Sequence, residues 1–485
     1  MGQLKSAWEL AMERTIVSPE EKRYKTIDQN EYHGYEQNED LSIDFVKDWK
    51  HPDDKKQKLI ENAIPIDLSE EEREGMNERA EEFFKRHDPE PEIDYEKGPK
   101  LMEVHWGGNF LDYGGFARLN RSMVFGLSDR NVVVKTEVQS YINDINEATR
   151  TRIQEMSKVK INPRAPKVVG VTMPMDISHT GYKIIYTMIE TSNKIHKDYA
   201  EKLNLFNEIW VPSHYAKDMF IKSGVRSRIE IIPLGVDPTR YRPQESIMDF
   251  GQDLKAFKFL SVFKWSYRKG YDILLRAYLE EFSSQDDVSL LLVSRNLSNF
   301  KDSGIEKMIE DFQVVVRGVG KAEEDLPHVA LYPEKVPERD MPKIYNACNC
   351  FVLISRGEGF CLPYCEAAAC GLPVIGSNCT GQTEFLTHDN SYLIDPEDYQ
   401  ESNLTGSFTG MAKMSRFYEG QEFPVFGVEA IKETRKAMRE VFEGSETVNQ
   451  KAKKLRENIV KNFRWDQTLD KVFNRLKDIY EEQGL

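Results

Sequence analysis

Two successive series of short apolar runs, each alternating with helical stretches, constrain this chain more than any other feature. Between Lys100 and Asp237 the runs Met102–His105, Val132–Lys135, Val168–Met173, Lys183–Met188, Ile209–Pro212 and Arg228–Ile232 read as strands. A second series follows at Phe257–Val262, Val288–Ser294, Val329–Tyr332, Cys350–Ile354 and Pro373–Ile375. Strands that alternate with helices predict a parallel sheet covered on both faces. Residues 231–243 (IIPLGVDPTRYRP), with prolines and a glycine breaking any periodicity, predict a linker between the two series. Ligands of open α/β sheets bind beside the carboxyl ends of the strands, so two such units in tandem predict a cleft between them. The expected fold class is therefore α/β, with two Rossmann-like domains at 99–240 and 241–464.

Residues 1–98 differ in character. The first 100 residues hold 16 Lys and Arg against 27 Asp and Glu, so most of the net charge of −15 lies there and the remainder is close to neutral. Helical spacing of Met76, Ala80, Phe83 and Phe84 within Glu70–Arg86, interrupted elsewhere by prolines, predicts a charged and mainly helical extension. It carries no recognisable chemistry, and docking of a partner or self-association is the expectation for it. An acidic balance argues against nucleic acid as a partner. No apolar run approaches the roughly 20 residues of a membrane span. Met1-Gly2 with Ser6 matches a myristoylation start only formally. All six cysteines (348, 350, 361, 365, 370 and 379) fall within 32 residues, without the paired C-x-x-C spacing of zinc sites and without a histidine among them. They read as small core residues rather than metal ligands, and retained thiols fit a reducing, cytoplasmic setting, with peripheral membrane contact left open.

The chemistry concentrates in residues 355–384, SRGEGFCLPYCEAAACGLPVIGSNCTGQTE. Cys350–Ser355 is a buried-strand pattern, Gly357 and Gly359 predict a sharp turn, and Pro363 suits a first helical turn that stops before Gly371. A strand, a glycine turn and a helix start offer unpaired amides and a positive dipole end to an anion such as phosphate. We place that anion on the amides of Gly359, Phe360, Cys361 and Leu362. Glu366, one turn into the helix, is then positioned for a ribose diol, and Glu358 for whatever lies beyond the phosphates. Nucleotide, diphosphate and a polar third group describe a nucleotide sugar.

The run EGFCLPYCEAAACGLPVIGSN, followed by TGQTE, resembles the E-x7-E signature of retaining glycosyltransferases of family four, which have the GT-B fold. The resemblance implies that Glu358 contacts the donor sugar and Glu366 the ribose. It also implies that the final helix, 465–485, returns to the first domain. Cys361 departs from the family's usual glycine. In KWSYRKGYDILLRAY (264–278) the family has an arginine and a lysine; here Lys264 and Lys269 stand in those places, with Arg268 beside them. These cations would neutralise a departing diphosphate, the task metal ions perform in other enzymes. In WGGNFLDYGGFARLNR (106–121), Gly114-Gly115 resembles the family's glycine loop, and Gly115 and Arg118 are expected on the donor's other side. Glu190 stands where many members have a histidine near the sugar or acceptor. Ser213 reads as a helix N-cap, and His179, His196 and His214 as ordinary surface or cap residues.

The expectation is retaining transfer of a sugar, a hexose by the resemblance, from a nucleoside-diphosphate sugar to an acceptor hydroxyl. The acceptor (glycan, lipid-linked or protein) stays open. No metal or cofactor is called for, because the cleft segments hold no D-x-D pair. No covalent residue is nominated, since family members let the departing phosphate guide the acceptor hydroxyl on the same face. The alternative is a catalytically inactive GT-B scaffold that binds a partner through its N-terminal extension. A dinucleotide oxidoreductase fits less well, because residues 106–121 lack G-x-G-x-x-G spacing.

Overall fold

The computed structural model describes residues 5–6, 102–139, 145–172, 178–250, 254–295, 305–333, 336–401 and 420–485. The helical patch at Glu70–Arg86, the rest of the N-terminal extension apart from residues 5–6, and residues 402–419 lie outside these residues.

Strand β1 (Lys5–Ser6) adds antiparallel to the edge of the second sheet, described below. The first sheet contains β2 (Glu103–Gly108), β3 (Val133–Val138), β4 (Lys167–Gly170), β5 (Lys183–Tyr186), β6 (Glu208–Val211) and β7 (Arg228–Ile231), in the spatial order β3-β2-β4-β5-β6-β7. Every neighbouring pair in it is parallel. Helix α1 (Gly115–Ser128) follows β2, and α2 (His214–Lys222) follows β6. Ser213 caps α2 by accepting from the Ala216 amide at 3.2 Å, as its position predicted. Val104, Trp106, Met123, Val124, Ile184 and Trp210 are fully buried in one core with α1, while Ala216, Met219 and Phe220 of α2 pack with Ile185, Ile209 and Val211 in another.

The second sheet is formed by β8 (Phe257–Lys264), β9 (Val288–Arg295), β10 (His328–Tyr332), β11 (Cys350–Leu353), β12 (Val374–Ser377) and β13 (Tyr392–Ile394). Its order is β1-β10-β9-β8-β11-β12-β13, and all pairs except β1·β10 are parallel. Its crossovers include α3 (Tyr271–Glu281) and α4 (Leu362–Ala369). All six cysteines are buried and free, and burial pushes every thiol above its ordinary range.

Two features lie beyond the sequence reading. Strand β13 extends the second sheet, and a separate antiparallel hairpin forms from β14 (Asp398–Glu401) and β15 (Glu422–Val425). That hairpin reaches the first domain: Ser192 N donates to Glu422 O at 2.8 Å, and Thr191 Oγ1 donates to Gln421 Oε1 at 2.5 Å. Further on, the chain returns to the first domain, where Arg464 bridges to Val236 just before helix α5 (Trp465–Gln483). Helix α5 packs on the first domain. Leu469 closes over Gly126 of α1, where an added Cβ would lie 2.2 Å from Leu469 Cδ1. Tyr480 OH both donates to Glu103 O and accepts from Glu103 N, at 2.6 and 2.7 Å. No helix among the described residues is long and apolar enough to cross a membrane.

Candidate functional site

Strand β11 ends at Leu353, and the turn 354–361 carries the chain into α4 at the mouth between the two sheets. Neither Gly357 nor Gly359 has a positive φ, so the turn between β11 and α4 does not by itself demand a glycine at either place. Their requirement is steric and comes from the first domain. A Cβ on Gly357 would lie 1.8 Å from the Glu190 carbonyl oxygen, and one on Gly359 would lie 2.3 Å from Met188 Sδ. The segment after β5 thus rests directly on the glycine turn. The left-handed residue is instead Cys361, at φ 69° and ψ 76°, just before α4.

A side chain in that conformation costs about 1–2 kcal/mol that glycine avoids. We therefore expect Cys361→Gly to be at least as stable as Cys361→Ala. Thermal melts of the two variants check this, and a lower melting point for the glycine variant would refute it.

Glu358 is 4% exposed. Lys269 Nζ meets its two carboxylate oxygens at 2.5 and 2.7 Å, and Arg268 Nη1 stands 3.8 Å away. Burial pushes this carboxyl up, but the Lys269 and Arg268 charges outweigh burial and hold it below its ordinary value. Its amide donates to Thr380 Oγ1 at 2.9 Å, and its carbonyl accepts from Gly381 N at 2.9 Å. A Cβ on Gly381 would sit 2.0 Å from Gly359 O, so the TGQ turn braces the E-x7-E turn from behind.

The cations come from the end of β8 and the 3-10 turn Tyr267–Lys269. Gly270 closes that turn at φ 67°, where a Cβ would lie 1.8 Å from Ile354 O. Arg356, which the sequence reading passed over, pins the same turn. It is 5% exposed, its guanidinium stacks 3.8 Å from the Tyr267 ring centre, and it donates to Tyr267 O at 2.7 Å. Asp272 holds it through two bonds of 2.8 and 2.7 Å. The only hint in the sequence was an arginine directly after a buried strand. Lys264 is exposed at the end of β8, and among the described residues no hydrogen bond or ion pair engages its Nζ. Crowding by the protein around it lowers its pKa, with Arg268 adding to the effect and Asp112 and Glu190 opposing it.

Glu366 is 2% exposed on α4. Tyr345 OH donates to its Oε2 at 2.7 Å, and Arg118 Nη1 of the first domain pairs with its Oε1. Arg118 also donates to Tyr241 OH at 3.1 Å and lies 3.2 Å from Glu338. Two residues expected to flank the donor separately are thus in contact across the cleft, and Tyr241, Glu338 and Tyr345 join them without a motif to announce it. At Gly115 an added Cβ would meet nothing within 4 Å, so open space faces the start of α1. The expected amides at Phe360, Cys361 and Leu362 lie at the start of α4, in residues at most 8% exposed. Glu190 lies 3.2 Å from Arg268 Nη2. Of the histidines, His214 contacts Glu384 across the cleft at 2.9 Å, His196 caps a helix, and His179 bonds the Ala165 carbonyl.

Two facing Rossmann-like domains, with the last helix returned to the first, define the GT-B fold. Residues 255–404 match the family model described as glycosyl transferases group 1. The chain is 44% identical over 63 residues to the O-antigen chain mannosyltransferase B of Escherichia coli, covering 13% of this chain and 16% of that protein. It is 28% identical over 186 residues to a D-inositol 3-phosphate glycosyltransferase of Pseudarthrobacter chlorophenolicus, 38% of this chain and 40% of that one. The matched part therefore spans well under two thirds of these relatives. Among solved structures, Anabaena HepE in complex with UDP-glucose superposes with a TM-score of 0.53 at 13% identity, covering 78% of this chain and all of that one.

Proposed function

We propose that this protein is a retaining glycosyltransferase that moves a sugar from a nucleoside-diphosphate sugar to an acceptor hydroxyl without a metal or cofactor. The observation that carries the reading is the ion pair of Glu358 with Lys269 in the turn before α4, with Lys264 at the end of the strand β8 that pairs with β11. The matched relatives are named for glycosyl transfer, and the structural neighbour holds a nucleotide sugar. In this reading the second domain binds the donor and the first binds the acceptor. The α4 amides and Lys264 take the diphosphate, and Glu366 accepts from the ribose diol once Arg118 has moved off it. Lys269 serves the departing phosphate while keeping Glu358 charged and aimed at the sugar. Charge fixed in place before the bond breaks costs no reorganisation at the transition state.

The test is a melting-point screen against UDP-, GDP- and ADP-sugars, followed by release of the nucleoside diphosphate from the one that binds. A ligand that binds only the folded protein raises its melting point. Glu358→Ala should lower turnover about 10²-fold, the cost of a misplaced reactant, and the product anomer should match the donor's by NMR. No shift with any nucleotide sugar, or unchanged turnover in Glu358→Ala, would sink the reading.

A further inference from the structure

We propose that Arg268 is a positioning residue: it clamps Glu190 of the first domain beside Glu358 of the second, leaving the diphosphate to Lys264 and Lys269. The inference rests on the donor-binding reading above and assigns Arg268 a task different from that of its neighbours.

The geometry of the guanidinium carries it. Arg268 Nη1 donates to the Gly357 carbonyl, Nη2 faces Glu190 at 3.2 Å, and Glu358 lies 3.8 Å from Nη1. Both terminal nitrogens are thus committed to oxygens of the protein, two of them carboxylates on opposite walls of the cleft. An arginine poised for phosphate would present a free edge for two parallel bonds. Lys264 has that freedom, since none of the described residues pairs with its Nζ. The clamp also has a backbone counterpart. Glu190 O presses against Gly357 so closely that no Cβ fits there, and Gly357 O is the carbonyl that Arg268 holds. Arg268 therefore grips the point where the two domains touch nearest to Glu358.

Its support is equally specific. The Arg268 carbonyl accepts from Arg356 N at 2.7 Å and from Ser355 Oγ at 3.2 Å, so the turn cannot rotate independently of the strand that leads to Glu358. Without the guanidinium, Glu190 and Glu358 would face each other with one fewer cation between them, and like charges would favour an opened cleft. The clamp explains how a carboxylate is tolerated at position 190. Its charge is neutralised by the guanidinium that faces it.

The experiment compares Arg268→Ala, Arg268→Lys, Glu190→Gln, Lys264→Ala and the Arg268→Ala/Glu190→Gln double variant in the full chain. Calorimetry reads the affinity for UDP, GDP and ADP, and turnover is followed with the donor that binds. A positioning role predicts that Arg268→Ala leaves diphosphate affinity within about twofold while kcat falls about 10–100-fold. Lys264→Ala should weaken the diphosphate about tenfold or more. Arg268→Lys should recover part of kcat, and Arg268→Ala should cost clearly less once Glu190 is Gln, because residues in one ion network are not additive. Melting points of the ligand-free variants give a second cycle that needs no donor: the double variant should melt no lower than the worse single variant. A tenfold loss of diphosphate affinity in Arg268→Ala, or effects that multiply in the double variant, would overturn the clamp. If wild type binds no nucleoside diphosphate at all, the donor reading falls and the division of labour falls with it. A melting-point cycle that still shows coupling would identify that failure as one of function and not of geometry.

Discussion

Replacing Lys269 by alanine is expected to lower kcat for sugar transfer by about 10²–10³-fold, the scale on which one charge-stabilising donor acts in a preorganised site. The loss has two sources. The departing phosphate loses a cation, and Glu358 loses the ammonium that holds its two oxygens at 2.5 and 2.7 Å. At 4% exposure this carboxylate would keep the more distant Arg268 as its one cation among the described residues, and its pKa should climb. The sign follows from that. Wild-type Glu358, held below its ordinary pKa, stays charged across the neutral range and protonates only in acid. In Lys269→Ala the acid limb of the kcat profile should move to higher pH. Lys269→Arg should restore the limb more than the rate, since it returns the charge without the ammonium's geometry. Effects within one network do not add, so Lys269→Ala in a Glu358→Gln background should cost far less than in wild type. Equal losses in both backgrounds would mean that the two residues act apart.

Much of this was legible in the sequence because it is local. Runs such as VSLLLV and CFVLI are apolar and partly β-branched, as strands buried on both faces must be, and they form β9 and β11 within a residue or two of the expected limits. The two lysines and two glutamates also lay in short contiguous segments. What escaped were side chains that meet only after folding. Arg118 and Glu366 lie 248 positions apart, and His214 and Glu384 lie 170 apart. Nothing in either local sequence marks such a partner. Hairpin β14–β15 escaped for a different reason. Asp398–Glu401 is exposed throughout and shows no apolar alternation, and Pro424 interrupts β15, which is tolerated only because the hairpin is all edge. For Gly357 and Gly359 the missing part was the neighbour: sequence shows that a glycine is present at a turn, not which other segment presses against it.

Helix α5 gives the largest stability effect. Arg475→Ala should destabilise the protein by about 3–5 kcal/mol, the range for removing one partner of a buried ion pair. Glu208 on β6 is fully buried, and Arg475 reaches it through Nε and Nη2 at 2.8 to 3.0 Å. Burial opposes the charge on Arg475, but hydrogen bonds and attraction to Glu208 and Glu482 outweigh it and raise its pKa. Trp210 Nε1 and Tyr182 OH also donate to Glu208, at 2.8 and 3.1 Å, so the carboxylate would keep two neutral donors and lose its only buried cation among the described residues. For a unit of this size, 1 kcal/mol shifts the melting point by about 1–2 °C, so calorimetry should show a drop of about 5 °C. The opposite change is as informative. Glu208→Met combined with Arg475→Leu removes both charges together and should recover most of the loss, because two apolar side chains pack at little cost where one orphaned charge does not. Recovery should also restore any donor turnover lost in Arg475→Ala, since α5 ties the end of the second domain's chain to the sheet that carries Glu190. A single variant that melts within 2 °C of wild type would show that the pair is strained or solvated enough to contribute little.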